Sequence, residues 1–343
     1  MKAAVFLGPG RMEVKEVETP TAGPGEVRIR VEACAVCGTD LRIFTYGQKN
    51  VVPPAIIGHE ICGVVDQVGE GVSDIREGQR VTPVTCVGEG ECEYCRKGLH
   101  NLCRDFKALG YDFPGGYAEY MIIPKEAVSQ GNVIEAPDAL MPEEVALVEP
   151  LSCCINGQEY LGIGKGDVVA IFGCGPIGLM HSEVARADGA ERVFMVDAAP
   201  DRLEVVKDFD AGEPIEAANS TQEIMKRTGG SGVDVVICAC GVPEVQAQAL
   251  EIVKKKGRVS FFAGLPKDRG KVALDTNKIH YSEVSVFGAF ASHRSQFVRA
   301  LQMAASSEVD LAKFVTHKFK LDDISEALEV ARAKKGVKLV VTP

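Results

Sequence analysis

Asp167-Val168-Val169-Ala170-Ile171-Phe172 runs directly into Gly173-Cys174-Gly175-Pro176-Ile177-Gly178, and Arg192-Val193-Phe194-Met195-Val196-Asp197 follows. The outer two segments are short apolar runs of strand length, and Gly175 to Ala187 between them carries a helical pattern. A strand, a Gly-x-Gly-x-x-Gly turn opening a helix, and a second strand ending in an acid form a βαβ unit. Gly173 permits the tight turn, Gly175 lets the backbone approach a pyrophosphate, and Gly178 lets helix and strand pack closely, with Pro176 and Ile177 in the turn itself. The helix N-terminus adds free N–H groups and the positive end of its dipole. A bare glycine pattern is weak; the strand before it and Asp197, nineteen residues beyond Gly178, make it a dinucleotide site.

Asp197 also selects the dinucleotide. Its carboxylate accepts bonds from the adenosine ribose hydroxyls and repels a 2′-phosphate, and Ala198 and Ala199 supply no compensating cation. The cofactor read from this is NAD. The competing role for Asp197, capping a helix over Pro200–Phe209, is set aside because Ala199 and Pro200 displace it from the cap position.

The alternation continues outward. Strands are expected at Asp234–Ala239, Gly257–Phe262 and Glu283–Phe287, with a helix at Pro243–Lys254, which implies a parallel sheet covered on both faces. Helices are expected again near Arg294–Ser306 and Asp322–Ala333, and a strand at Val337–Val341. Before residue 150 the pattern is different: strands and loops, with period-two alternation at Val27-Arg28-Ile29-Arg30-Val31 and frequent Gly/Pro punctuation. Glu89 to Cys103 has no apolar periodicity and reads as a surface lobe. No internal repeat or low-complexity segment interrupts the chain.

Bulk composition narrows the function classes. A chain of 343 residues calls for two domains. The net charge of −10 disfavours nonspecific nucleic-acid or anionic-membrane binding. The N-terminal apolar run is too short for a signal peptide, and Val168 to Ser182 is too short and too broken by Gly and Pro for a membrane span. Twelve cysteines without a signal peptide suggest a reducing, cytoplasmic setting with metal ligands and buried thiols.

Cys92-x2-Cys95-x7-Cys103 reads as a metal lobe, because three exposed free thiols are an oxidation liability. A redox Cys-x-x-Cys lacks the βαβ context it needs, and a nucleic-acid-binding zinc ribbon lacks a basic excess. Cys37 and His59 also suit zinc, which accepts thiolate and imidazole. They are 22 residues apart, so only tertiary structure can join them.

Cys37-Gly38-Thr39-Asp40, Gly58-His59-Glu60, the cysteine lobe and the glycine turn, in that order, resemble the zinc-dependent medium-chain alcohol and polyol dehydrogenases. The resemblance covers nearly the whole chain. It implies an α/β protein: a GroES-like, β-rich catalytic domain formed by residues 1–150 and 289–343, with the zinc lobe at about 86–104, and a Rossmann domain with a doubly wound parallel sheet at 151–288. It places the active cleft between the two. Cys37, His59 and Glu149, the last in Glu149-Pro150, are implied as resting ligands of a catalytic zinc, with Glu60 exchanging. Thr39 is implied to accept the alcohol proton and pass it to the cofactor ribose. Arg202 is implied to flank the adenosine, and Ala263-Gly264-Leu265 and Gly288-Ala289-Phe290 to border the nicotinamide.

Cys92, Cys95 and Cys103 match three of the four ligands of the family's structural zinc; the remaining position holds Glu89, with Cys86 as the alternative. Two zinc ions per subunit follow, and the resemblance suggests a homotetramer. Two positions depart from the pattern. Ala291 and Ser292 replace an Arg-Tyr pair of sorbitol dehydrogenases. Arg42 stands where many relatives carry a proton-relaying His, and a guanidinium does not release its proton at working pH; it faces an anion, tunes the alcohol electrostatically, or is a surface residue.

The reaction expected is oxidation of a secondary alcohol of a polyol, sugar or cyclitol, free or phosphorylated, by NAD. L-Threonine 3-dehydrogenase is the alternative enzyme. A zinc-stabilised nucleotide-binding regulator is the alternative from another class, against which the Cys37, His59 and Glu149 set argues. Zinc-free quinone reductases of the same fold lack that set and the cysteine lobe.

Overall fold

The computed structural model describes residues 1–343. They divide into two units, Met1–Ser152 with Ala291–Pro343, and Cys153–Phe290.

The contiguous unit is built on the strand Val168–Phe172 at the middle of a six-stranded sheet. From one edge the order is Glu213–Glu216, Arg192–Asp197, Val168–Phe172, Val233–Cys238, Val253–Phe261 and Ser285–Gly288, and every pairing is parallel. Strand order therefore reverses on either side of Val168–Phe172, and a parallel sheet binds ligands in the crevice at the carboxyl ends of the strands where this happens. Gly173 leaves one strand at that point and Ala239 leaves its neighbour. The strands are nearly continuous apolar runs because both faces are covered: Ala170, Phe172, Phe194, Val196, Val236, Cys238 and Val259 all join one core.

Two sequence expectations need correction here. The helix from Pro243 ends at Ile252, not Lys254, and the next strand begins at Val253 rather than Gly257. Lys254-Lys255-Lys256 favours helix by propensity, but Val253 pairs with Val233 and Lys254 forms an ion pair with Asp234, so tertiary pairing overrides the local preference. The edge strand Glu213–Glu216 was not foreseen, since Pro214 and two acids mask its short apolar signal.

The other unit centres on the strand Val27–Ala35. Val27, Ile29 and Val31 are buried while Arg28 and Arg30 face outward. Its partners are Glu60–Val68, Tyr120–Ile123 and, from the far end of the chain, Lys338–Thr342, with Val340 opposite Ala35 and Val341 opposite Cys34. A smaller sheet holds Lys2–Gly8 between Arg11–Glu16 and Ala55–Ile56. The core between these layers joins Phe6, Ile29, Ile43, Ile57, Ile61, Leu109, Tyr117 and Met121 to Leu328 and Val341 from the tail. No helix is long and apolar enough to cross a membrane.

Candidate active site and metal lobe

Cys37 lies two residues past the end of the central strand and caps the helix Gly38–Tyr46. The Asp40 carboxylate accepts the Cys37 N–H at 2.9 Å, and the Cys37 sulfur accepts the Thr39 N–H at 3.5 Å, so the first turn is closed from both sides. His59 immediately precedes the neighbouring strand and Glu60 begins it, opposite Ala35 in the register. A Cys37 sulfur, a His59 ring nitrogen and a Glu60 carboxylate oxygen lie within 4.8 Å of one another. Antiparallel pairing thus closes the 22-residue gap. Glu149, in the first turn of the helix Val148–Glu159 and nearly buried, falls outside this group of three. It is near enough for its charge to act on Cys86, Tyr111 and Lys338.

Asp40, His59 and Lys338, three residues in all, set the electrostatics. Asp40 is fully buried, and burial alone pushes its pKa up. The charge and contact of His59, the Cys37 N–H and the Tyr117 hydroxyl at 2.9 Å outweigh that and hold it below the usual carboxylate range. For His59, burial works to lower the pKa, but the neighbouring Tyr111, the Asp40 carboxylate and Cys37 raise it overall. His59 Nδ1 and Asp40 Oδ1 stand 3.4 Å apart, and both are buried without a hydrogen-bond partner. A metal held by the other ring nitrogen would leave the proton on Nδ1, facing Asp40, which is the arrangement that orients ligating histidines. The donor set and this orphaned pair fit a metal, which Cys37, His59 and a carboxylate would hold.

Lys338 is the third. It is 4% exposed, and its ammonium donates to Glu60 Oε2 at 2.5 Å and to the Val36 carbonyl at 3.0 Å. Burial would lower its pKa, but Glu60, Cys37 and Glu149 raise it, so the ammonium stays charged. Lys338 is more than 270 residues from Glu60 in sequence, and no local signal announces it. Asp40 was findable, since a carboxylate three residues past Cys37 has the capping-box spacing.

Arg42 lies on the exposed side of the capped helix, where its guanidinium donates to Gln48 Oε1 at 3.1 Å. Ser292 is buried, its hydroxyl 2.7 Å from that of Ser152.

The lobe brings Glu89, Cys92, Cys95 and Cys103 together with one ligand atom each inside 4.8 Å. The Glu89 carboxylate accepts the N–H groups of Glu91 at 3.0 Å and Cys92 at 2.5 Å, which hold its pKa below the ordinary value. Gly88 is part of the cradle: a Cβ there would stand 2.5 Å from the Cys95 sulfur. Cys86 is outside the group, buried in a strand pair with Ala108. Three thiols and a carboxylate at this spacing suit tetrahedral zinc.

In the contiguous unit, a Cβ on Gly178 would lie 1.8 Å from the Gly173 carbonyl oxygen, and Gly173 turns at φ +103°. Both glycines are required by the protein itself. Gly175 is different: nothing lies within 4 Å of a Cβ built there, and its φ of −75° suits any residue. Open space above a helix N-terminus with no side-chain cap is what an approaching phosphate needs. Asp197 accepts the Cys174 N–H at 2.7 Å and the Ala199 N–H at 3.0 Å, and Ala199 is the cap residue of the helix Pro200–Asp208. Arg202 occupies the first turn of that helix, and its charge acts on Cys174. Ala263, Gly264 and Leu265 follow the strand Val253–Phe261. Gly288 ends the edge strand, with Ala289 and Phe290 after it; Phe290 is exposed and its carbonyl accepts from Asn156.

A family model described as the alcohol dehydrogenase GroES-like domain matches residues 23–136, and one described as a zinc-binding dehydrogenase matches 176–306. The chain belongs to the zinc-dependent medium-chain alcohol dehydrogenase family. It is 36% identical to the L-threonine 3-dehydrogenase of Pyrococcus abyssi over 336 residues, covering 96% of this chain and 94% of that one. It is 31% identical to the sorbitol dehydrogenase of Halalkalibacterium halodurans, covering 100% and 99%. Among solved structures, a chain from Sinorhizobium meliloti 1021 described as a zinc-binding dehydrogenase bound to NADP superposes with a TM-score of 0.92 at 32% identity, covering 100% and 99%. The chain is accordingly a dehydrogenase of this family, with a GroES-like part and a Rossmann part.

Proposed function

We propose that the protein oxidises a secondary alcohol of a polyol, sugar or cyclitol to the ketone, with NAD taking the hydride and one proton released. The observation that carries the reading is the convergence of a thiol, an imidazole and a carboxylate, Cys37, His59 and Glu60, at a buried helix cap. Zinc there would make the alcohol more acidic, and NAD would accept the hydride. Cys37 and His59 hold the metal, with Glu60 or Glu149 as the carboxylate. Asp40 keeps the His59 ring in one tautomer, and Lys338 restrains Glu60. The Thr39 hydroxyl, two residues past Cys37, takes the proton from the alcohol. The second ion sits in the lobe on Glu89, Cys92, Cys95 and Cys103.

The nearby charges support a neutral substrate. An amino acid needs a cation for its carboxylate; Lys338 is already paired with Glu60, and Arg42 lies on the exposed side of its helix, donating to Gln48. Ser292, where sorbitol dehydrogenases carry Tyr, is buried against Ser152, so the hydroxyl pattern read differs from that of sorbitol. NAD is favoured over NADP by Asp197 and the neutral Ala198 and Ala199.

The test is a panel of polyols, cyclitols, simple secondary alcohols and L-threonine, assayed on zinc-loaded protein with NAD and with NADP through reduced-nicotinamide absorbance. Turnover of polyols or cyclitols with a higher kcat/KM for NAD is expected, and Asp197→Ser should narrow the preference. Activity confined to L-threonine, or to NADP, overturns the corresponding part.

A further inference from the structure

The turn that follows the strand Lys107–Ala108 is pressed against a proposed metal ligand. Gly110 adopts φ +78°, and a Cβ there would lie 2.7 Å from the Gly58 carbonyl oxygen and 3.2 Å from the His59 Cβ. Only glycine lets the turn come this close. Three N–H groups, from Tyr111 (3.3 Å), Asp112 (3.0 Å) and Phe113 (3.2 Å), then converge on the Ala108 carbonyl and fix the turn. The outcome is the placement of Tyr111: its ring centroid is 5.1 Å from that of His59, tilted by 40°.

Two tyrosines border the donor group, and their hydroxyls differ. The Tyr117 hydroxyl is fully buried and bound to Asp40 and the Ala35 carbonyl. Tyr111 is only partly buried, and the bonds that hold its turn are made by the backbone. A phenol carries its proton at neutral pH and can both donate and accept. It sits among Cys37, His59, Asp40 and Glu149, whose charges it feels.

A chain of polar contacts holds this turn to the helix that Cys37 caps. The Arg42 guanidinium donates to Gln48 Oε1 (3.1 Å), Gln48 Nε2 to Asn50 Oδ1 (2.9 Å), and Asn50 Nδ2 to Asp112 Oδ2 (3.0 Å), which also accepts the Ala108 N–H (3.0 Å). Arg42 is thereby the outer end of a strut. This gives it a role that neither a proton relay nor an anion site requires.

We infer that Tyr111 is a specificity-determining residue whose hydroxyl bonds a second hydroxyl of the substrate, beside the one being oxidised, with Arg42, Gln48, Asn50 and Asp112 as its positioning strut. The inference rests on the alcohol-oxidation reading above and narrows it to vicinal diols and cyclitols over isolated secondary alcohols. A site built to bond a substrate hydroxyl discriminates against the analogue that lacks it.

Tyr111→Phe keeps the ring and removes the hydroxyl. Zinc-loaded wild type and variant are compared on a vicinal diol or cyclitol and on a matched secondary alcohol without the second hydroxyl. In the variant kcat/KM for the diol should fall roughly ten- to a hundredfold, mainly through KM, as expected when one substrate hydroxyl is left unpaired. The loss on the mono-alcohol should be much smaller. Arg42→Ala should raise KM for the diol by a lesser factor without moving the pH profile. Equal losses on both substrates, or no loss on either, overturn the inference while leaving alcohol oxidation standing. If the wild type turns over no diol while oxidising the mono-alcohol, the inference also fails. If it oxidises no alcohol at all, the broader reading fails first.

Discussion

Replacing Lys338 by Met isolates the buried ion pair. Met retains most of the length of the side chain and removes only the charge and its three donors. The Glu60 side chain is 1% exposed, so in the metal-free variant its carboxylate loses its ammonium partner with no water to replace it, and the Val36 carbonyl loses its ammonium donor. Breaking a buried pair from one side costs about 3–5 kcal/mol. For a unit of this size each kcal/mol shifts the midpoint by about 2–4 °C, so the transition should drop by roughly 6–20 °C. Scanning calorimetry of chelator-treated protein measures it. Glu60→Gln alone should also destabilise, by stranding the ammonium. The double variant should cost less than the two singles together, because it strands neither charge. Zinc loading should shrink the Lys338→Met penalty, since a cation beside Glu60 replaces the lost one. A midpoint shift under about 2 °C in the metal-free variant, or strict additivity in the double, would refute the claim that this pair is dry and mutually dependent.

Gly178→Ala should weaken NADH binding at least tenfold in a fluorescence titration, because the new methyl must drive the Gly173 carbonyl away from a position 1.8 Å distant; unchanged affinity would sink the assignment of the turn. Cys95→Ser should remove about one of two zinc equivalents in metal analysis and lower thermal stability, whereas an unchanged metal content speaks against the lobe. Lys318→Met probes the pair with Glu143, 2.6 Å apart. Burial raises the Glu143 pKa, but Lys318 and a backbone N–H outweigh it and hold it low. A depressed folded pKa means the contribution is present above the ordinary carboxylate pKa and lost as pH falls through the folded one. Lys318 is mostly exposed, so the variant should lose only about 0.5–1 kcal/mol near neutral pH, and the difference from wild type should disappear in acid. A difference that grows in acid contradicts the sign.

What could be read from the chain depended on how local each feature is. The strand at Arg192–Asp197 and the helix opened by Pro176 are marked by apolar runs and by glycines whose roles act over a few residues, and the structure has both there. The cysteine lobe is equally local: its spacing groups the candidate ligands, and the geometry separates Glu89 from Cys86. The start of the strand at Val253 was not legible, because the three lysines after it bulge out of register before Arg258 resumes the pairing with Val233–Cys238. Lys338, Tyr111 and the strut behind Tyr111 were invisible for the same reason. Each acts across sheet register or a long loop, where residue spacing carries no information. Cys37 and His59 lie between these cases, since their residue types suggest chemistry but only the register of two antiparallel strands brings them together.

The strand Lys338–Thr342 has a consequence for how the protein is made. Residues 153–290 are contiguous, and their six-stranded sheet needs no strand from outside that span. Domains fold as units while the chain is synthesised, so this part can close early. The unit holding Cys37, His59 and Glu60 cannot, although its first 152 residues leave the ribosome before any of the sheet just described. Its central strand waits for Val340 and Val341, and Glu60 waits for Lys338. During that interval a nascent chain carries the Glu60 carboxylate without its counter-charge and an open strand edge. An arrest that leaves the ribosome holding the chain just short of residue 338 should therefore yield a protease-resistant dinucleotide-binding part beside a protease-sensitive remainder.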